Sequence, residues 1–125
     1  MLLDSNIIIY AALPEHEALR RLISEKEPAV SAVSYVEVLG YHRLTEAERH
    51  HFETFFADAR ILPLSQPVLD WAVRLRQARK MSLGDALVAG TALANGLTLV
   101  TRNTDDFAGI EGLLVHNPLQ GLEPA

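Results

Sequence analysis

Short apolar runs alternate with longer helical segments along this chain, and this alternation restricts the possible folds more than any other feature. The clearest apolar run covers residues 97–101, and similar runs cover residues 1–3, 28–31, 60–64 and 113–116. Helical periodicity fills the stretches between them. Strands that alternate with helices of this length are typical of a parallel sheet covered on both faces. We therefore predict an α/β protein, a three-layer α/β/α, Rossmann-like sandwich with a mostly parallel central sheet.

Turn and capping residues delimit the predicted helices. Pro14 begins a helical stretch that runs to about residue 26, and Gly96 ends a helix of small residues. Thr45 and Glu48 have the spacing of a capping box, which predicts a helix that begins at Thr45. The predicted helical segments cover residues 6–13, 14–26, 31–43, 82–95, a stretch from Thr45 and a stretch from Pro67.

The composition is that of an ordinary globular domain. The 125 residues are 49% hydrophobic and 22% charged, so we predict a single domain over residues 1–125. The chain has no cysteine, which excludes a disulfide framework and a thiolate metal site. Neither a signal peptide nor an apolar stretch of about 20 residues is present, so we expect a soluble cytoplasmic protein without membrane contact. The net charge of −5 is unlike that of a general nucleic-acid binder.

Acidic residues fall near the carboxyl ends of the predicted strands. Asp4 ends the first strand, Glu37 lies in the helix after the second, and Asp106 lies in the turn after strand 97–101. Asp85 stands in the first turn of the helix that leads to that strand. Because ligands bind at the carboxyl ends of the strands in open parallel sheets, we expect these four side chains to share one site.

Carboxylates gathered at one sheet edge repel one another and raise one another's pKa values. A hard divalent cation such as Mg²⁺ or Mn²⁺ removes that cost, and it prefers oxygen ligands. Such a cation activates water and stabilises charge that develops on phosphorus. The pattern therefore predicts a metal site for phosphodiester chemistry.

Capping is the alternative role for these acids. The spacing Ser34–Glu37 and the spacing Ser82–Asp85 both match a capping box, as Thr45–Glu48 does. Asp4 alone is consistent with an N-cap, and Asp105 and Asp106 with a solvated turn. The neighbours of Glu37 and Asp85 favour a site instead, because both acids stand among apolar residues.

Four segments resemble the PIN-domain family and, within it, the VapC-type ribonuclease toxins of toxin–antitoxin pairs. Their order and spacing cover nearly the whole chain. The segments are Leu2-Leu3-Asp4-Ser5-Asn6, Ser31-Ala32-Val33-Ser34-Tyr35-Val36-Glu37, Ser82-Leu83-Gly84-Asp85-Ala86-Leu87-Val88-Ala89 with its continuation through Asn103, and Asp105-Asp106-Phe107. Two details depart from the usual family pattern: Gly84 weakens the start of a helix, and Ser5 stands where threonine is more frequent.

The resemblance implies a Mg²⁺- or Mn²⁺-dependent endoribonuclease, the toxin of a type II toxin–antitoxin pair, that forms a homodimer and is inhibited by a cognate antitoxin. It implies that Asp4, Glu37 and Asp85 are catalytic metal ligands. The fourth acid maps most plausibly to Asp106, with Asp105 as the other candidate. The positions implied as supporting are Ser5, Asn6, Thr101 and Asn103.

Basic residues near the acids are possible RNA contacts. Arg79 and Lys80 precede Asp85, and Arg102 adjoins the acidic turn. They can contact phosphates or form an ordinary solvated surface, and the sequence favours neither.

Other functions fit the sequence less well. A receiver domain needs an acid at the end of its third strand, and a haloacid-dehalogenase-type phosphatase needs a second aspartate where Asn6 stands. The alternative that stays open is a PIN-like module with weak or no catalysis that binds RNA or protein. Metal binding distinguishes the two.

Overall fold

The computed structural model describes residues 1–120 and places five parallel strands in one sheet. The order is β3-β2-β1-β4-β5, so the first strand is central and pairs with β2 and β4. The predicted parallel sheet is confirmed, although each strand is shorter than its apolar run. The strands are β1 (Leu2–Leu3), β2 (Ala29–Ser31), β3 (Arg60–Leu62), β4 (Leu99–Val100) and β5 (Val115–His116). The single-domain prediction extends to residues 121–125, which lie outside the described residues.

Six α-helices connect and flank these strands. They are α1 (Ser5–Ala11), α2 (Glu17–Glu25), α3 (Ala32–Leu39), α4 (Glu46–Asp58), α5 (Gln66–Ala78) and α6 (Leu83–Asn95). Short 3₁₀ turns cover Pro14–His16 and Thr104–Phe107. Within residues 1–120, no helix combines the length and the apolar character that a membrane crossing requires.

Adjacent residues of β1, β2 and β4 bury their side chains on opposite faces of the sheet, as the period of two in a strand requires. Leu3, Val30 and Val100 form one core with α1, α2 and α4. Their neighbours Leu2, Ala29 and Leu99 form a second core with α5 and α6. Two cores separated by one sheet make the predicted three-layer sandwich.

Local sequence signals predicted several helix ends correctly. Thr45 and Glu48 make both hydrogen bonds of the predicted capping box, and Gly96 takes the left-handed backbone (φ 63°) of a C-cap. The stretch that begins at Pro14 divides into a 3₁₀ turn and α2. The third helix is shorter than the predicted 31–43, because Ser31 caps it and Gly40 ends it.

Helices α5 and α6 pack closely because Gly90 has no side chain. A Cβ atom at Gly90 would lie 2.8 Å from the carbonyl oxygen of Val68 and 3.2 Å from the backbone nitrogen of Ala72. These neighbours are backbone atoms within α5, so they cannot move aside without moving the helix. Any side chain at position 90 therefore forces the two helices apart.

We expect Gly90→Ala to destabilise the protein by about 1–3 kcal/mol, the usual cost of an overpacked core. Alanine favours an isolated helix over glycine by roughly 0.5–1 kcal/mol, so propensity alone predicts the opposite sign. Urea unfolding, monitored by the fluorescence of Trp71, measures the difference. A midpoint at or above that of the wild type would contradict the close contact between the helices.

Candidate active site

The four predicted acids are brought together at the carboxyl end of the central strands. Asp4 directly follows β1, Glu37 lies on α3, Asp85 lies in the first turn of α6, and Asp106 lies in the 3₁₀ turn after β4. Their charges act on one another: Asp85 and Glu37 both raise the pKa of Asp4, and Asp106 raises the pKa of Asp85. Four separate chain segments thus contribute to one acidic cluster, as their order in the sequence predicted.

Asp4 is the buried member of the cluster, with 6% of its surface exposed. Its Oδ1 accepts a hydrogen bond from the backbone nitrogen of Ser5 (2.8 Å), and its Oδ2 accepts from Asn6 Nδ2 (3.1 Å) and Thr101 Oγ1 (2.9 Å). Burial is the largest influence on this carboxyl and raises its pKa, whereas the hydrogen bonds from Thr101 and Ser5 oppose the rise. The predicted N-cap role and the predicted site role therefore coincide in one side chain.

Glu37 lies in the middle of a helix and is exposed. The capping alternative for this residue is wrong, because Ser31 caps α3 by accepting from the backbone nitrogen of Val33 (3.2 Å). Glu37 Oε1 instead accepts a hydrogen bond from Ser5 Oγ at 2.9 Å. This contact joins α3 to the first turn of α1, on which the residues next to Asp4 lie.

Ser34 is a site residue that sequence reasoning missed. It is fully buried, and its Oγ lies 2.9 Å from Ser5 Oγ, which in turn contacts Glu37. The only signal in the sequence is its place three residues before Glu37, which puts both side chains on one face of α3. The same spacing also matches a capping box, which does not indicate a site.

Because Gly84 has no side chain, it leaves space for the carboxylate of Glu37. A Cβ atom at position 84 would lie 3.1 Å from Glu37 Oε2, tighter than an ordinary van der Waals contact. This explains a helix-weakening residue in the first turn of α6, which the sequence alone left without a reason. The missing side chain lets α6 and α3 approach within the cluster.

Asp85 takes part in the N-cap of α6 through its backbone nitrogen, and its carboxyl group is partly buried. Ser82 Oγ accepts from the backbone nitrogen of Asp85 (3.1 Å), which is one half of the predicted capping box. The reciprocal half, in which the carboxylate accepts from the Ser82 backbone, does not form among the described residues. Burial raises the pKa of Asp85, a hydrogen bond with the Ser82 hydroxyl lowers it, and the charge of Asp106 raises it.

The turn after β4 distinguishes the two neighbouring aspartates. Both are exposed, but it is the charge of Asp106 that acts on Asp85. Phe107 is buried in the core beside Leu99, and it anchors the turn. This arrangement favours Asp106 over Asp105 as the fourth acid.

The predicted supporting residues form a hydrogen-bonded frame around Asp4. Asn6 Nδ2 also donates to Thr101 Oγ1 (3.2 Å), and Asn6 Oδ1 accepts from the backbone nitrogen of Arg102 (3.2 Å). Asn103 contributes through its backbone, whose nitrogen donates to Thr101 Oγ1 (3.1 Å) and whose oxygen accepts from Asp106 (3.1 Å). Every buried polar side-chain atom within residues 1–120 has a partner, so the frame is rigid.

The three basic residues predicted as RNA contacts differ in the contacts that their charged groups make. Arg79 is half-buried, and its guanidinium donates to the backbone oxygen of Ala108 at 2.7 Å, which ties the end of α5 to the turn that carries Asp106. Lys80 is exposed. Arg102 lies over the ring of Tyr10, with its guanidinium carbon 3.7 Å from the ring centroid.

The donor set suits a hard cation that keeps part of its water shell. It consists of carboxylate oxygens, and hydroxyl and amide groups surround it. Among the described residues, no three acidic or histidine side chains converge tightly enough to enclose a metal ion by themselves. Mg²⁺ typically binds through one or two carboxylates and several waters, so it does not require three side chains to enclose it.

We expect Asp85→Asn to raise the melting temperature in EDTA at pH 7.5. Because the pKa of Asp85 is raised in the folded state, the folded protein holds this proton to a higher pH than the unfolded chain does, and the ionised form destabilises the fold above that range. The gain should shrink as the pH falls through the range in which the wild-type carboxyl takes up its proton, because both side chains are then uncharged. Thermal unfolding across that pH range measures it.

The matched control is Glu111→Gln, which removes an exposed charge outside the cluster. It should give no comparable gain. A gain for Asp85→Asn that did not depend on pH would argue against electrostatic repulsion in the cluster.

Comparisons with known proteins identify one family. The family model for the PIN domain matches residues 1–113. A chain from a toxin–antitoxin complex of Klebsiella pneumoniae is 30% identical, with 94% of this chain and 96% of that chain covered and a TM-score of 0.75. A comparison with curated proteins finds no match.

Two further structures share the fold at lower identity. A chain from VapBC2 of Rickettsia felis, bound to a promoter DNA fragment, is 23% identical over 93% of this chain and 96% of that one (TM-score 0.77). A chain from the DNA-bound VapBC of Salmonella typhimurium is 20% identical over 92% and 95%, with a TM-score of 0.81. The family match, the fold and the order of the motifs agree, and the chain belongs to the PIN domain family.

Proposed function

We propose that this protein is a metal-dependent endoribonuclease and the toxin of a type II toxin–antitoxin pair. The observation that carries the proposal is the acidic cluster, in which four chain segments bring carboxylates to one edge of a parallel sheet. Its place matches the ligand position of open parallel sheets. The similarity to the Klebsiella pneumoniae toxin–antitoxin complex supports the toxin assignment.

The proposed cofactor is Mg²⁺ or Mn²⁺, held by Asp4, Glu37, Asp85 and Asp106. When bound, the cation supplies charge that activates water and stabilises the negative charge on the scissile phosphate. In its absence the pKa values of Asp4 and Asp85 are raised, first by burial and then by the charges of the neighbouring acids.

The protein's own residues then have distinct tasks. Asp4 is held in one orientation by three donors, so it presents its charge at a fixed place. Glu37 is exposed, and Ser5 holds one of its oxygens, which suits it to accept a proton from the attacking water at the free Oε2. Asp85 and Asp106 complete the cluster from the first turn of α6 and from the 3₁₀ turn after β4.

RNA is the proposed substrate despite the net charge of −5. The cation offsets the acids locally, and Lys80 and Arg102 expose positive charge near them. Arg79 is bound to the Ala108 carbonyl, and we assign it a bracing role for the turn of Asp106 beside its predicted phosphate contact.

A groove of about 700 Å³ between α1, α2 and α4 is the proposed docking surface for the antitoxin. Its floor is apolar, with Ile8, Ala11, Ile23 and Phe55, and its rim carries both positive and negative side chains. An apolar floor with a charged rim suits an amphipathic helical segment of a partner. The toxin–antitoxin complexes among the similar structures support a partner of this kind.

A homodimer in the cytoplasm completes the proposal. Exposed apolar side chains on α3 and α5 are the residues proposed for its interface, because apolar surface patches mark sites of protein association. They are Tyr35, Val36, Leu69 and Val73.

The alternative, a PIN-like module without catalysis, predicts the same fold and a different response to metal. Such a module has no need to keep a buried carboxylate with a raised pKa at the sheet edge. The intact cluster therefore favours the enzyme, and metal-dependent cleavage decides between them.

We expect the purified protein to cleave a structured RNA with Mg²⁺ or Mn²⁺ and not with EDTA. Asp4→Asn and Asp85→Asn should lower cleavage by about 10²-fold or more, because each removes a charge that the cation needs. Gel analysis of end-labelled RNA measures the rates, and circular dichroism checks that the variants fold. Retained cleavage in either folded variant would overturn the assigned site.

The neighbouring aspartates provide a matched pair for the fourth acid. Asp106→Asn should lower cleavage, whereas Asp105→Asn, which removes the same charge one residue away, should not. The reverse result would move the fourth ligand to Asp105.

We expect Thr54→Arg to prevent inhibition by the cognate antitoxin while RNA cleavage continues. Thr54 is exposed at the groove, so a long charged side chain there blocks the groove without disturbing the core. Cleavage assays with and without co-expressed antitoxin measure the effect. Normal inhibition of the variant would show that the antitoxin docks elsewhere.

A further inference from the structure

Arg102 is held at both ends by one face of α1. Its backbone nitrogen donates to Asn6 Oδ1 (3.2 Å), and its guanidinium carbon lies 3.7 Å from the ring centroid of Tyr10. Asn6 and Tyr10 are four residues apart, which puts both on the same face of the helix. Asn6 also donates to Asp4, so the position of Arg102 is tied directly to the buried acid of the cluster.

Tyr10 is a fixed platform for this contact. Its ring packs against the core beneath α1, and the ring of His16 stacks on it with a centroid distance of 4.3 Å and an interplanar angle of 30°. A cation over an aromatic face is attracted by the ring quadrupole, and the attraction is strongest where water is partly excluded. Two aromatic rings and a guanidinium therefore form one stacked unit beside the acidic cluster.

The hydrogen-bonding capacity of this guanidinium is not used within the described part of the chain. No ion pair or hydrogen bond joins it to another side chain in residues 1–120, although four acids lie close in the fold. A salt bridge to one of these acids would neutralise a proposed metal ligand. It would also occupy the positive charge of Arg102. Contact with the Tyr10 ring avoids both effects, because a ring face attracts the positive charge and leaves the N–H donors free.

We infer that Tyr10 is a positioning residue that holds Arg102 ready to bind a phosphate of the RNA next to the scissile one. The inference rests on the proposed ribonuclease function and adds a specific substrate contact to it. A guanidinium that is ordered in advance loses less side-chain entropy on binding, and its planar donor set matches the oxygens of a phosphate. The stacked ring of His16 stabilises the position of the Tyr10 ring.

The test compares steady-state cleavage of one single-stranded RNA oligonucleotide by wild type, Arg102→Ala, Tyr10→Leu and Tyr10→Phe. Phenylalanine keeps the aromatic face, whereas leucine keeps apolar bulk without it. Arg49→Ala is the control, because it removes an equal charge from an exposed site on α4. Each protein is assayed over a series of salt concentrations, and its melting temperature is recorded.

We expect Arg102→Ala to raise KM about tenfold with little change in kcat, the scale of one charge-assisted hydrogen bond. It should also reduce the slope of log kcat/KM against log salt by about 0.7, the value for one phosphate contact on a single strand. Tyr10→Leu should raise KM several-fold and keep the wild-type slope, because the charge remains but is no longer held. Tyr10→Phe should restore the wild-type KM.

Equal KM values for Arg102→Ala and Arg49→Ala, or for Tyr10→Leu and Tyr10→Phe, would overturn the inference and leave the ribonuclease assignment standing. A wild-type protein that cleaves no RNA with either metal would overturn both. A fall in melting temperature for Tyr10→Leu without the KM effect would assign the stack to stability alone.

Discussion

A buried carboxylate at the end of the central strand is the constraint on which the site depends. Asp4 is almost fully removed from water, beside two other acids, and burial of a charge is costly unless donors surround it. The required donors come from the two segments that β1 holds in place, the first turn of α1 and the end of β4. These donors orient the charge without cancelling the effects of burial and of the neighbouring acids, which together keep the pKa of Asp4 raised.

The same cluster requires that some positions carry no side chain. Glu37 reaches the cluster because Gly84 leaves space for its carboxylate, and α6 packs closely on α5 because Gly90 has no side chain. Small residues fill the rest of the buried face of α6. The glycines of α6 therefore help to position the helix that carries Asp85, because they let it pack closely on its neighbours. In this way the small residues of α6 influence the distance between acids on different helices.

Local sequence signals predicted the elements, whereas long-range contacts decided the details of the site. The box at Thr45 and the C-cap at Gly96 depend on neighbours within a few residues, so the sequence contains all the information they need. The start of α3 depends instead on Ser31, whose hydroxyl lies 3.2 Å from that of Thr91, sixty residues away. Without that contact the spacing Ser34–Glu37 looked like a cap. The sequence also does not reveal the contact of Ser34 with Ser5 or the hydrogen bond from Arg79 to the Ala108 carbonyl, because each joins residues 29 positions apart.

The net charge of −5 becomes consistent with the proposed ribonuclease once its distribution is considered. An acidic surface repels a polyanion everywhere except where positive charge is supplied, and here the bound cation and Arg102 would supply it at the same sheet edge. In the proposed enzyme, the contact of Arg102 with the Tyr10 ring would leave the acids free to hold the metal. Repulsion over the rest of the surface then restricts productive binding to RNA that contacts both positive groups at once, so the charge that argues against general nucleic-acid binding favours selective cleavage.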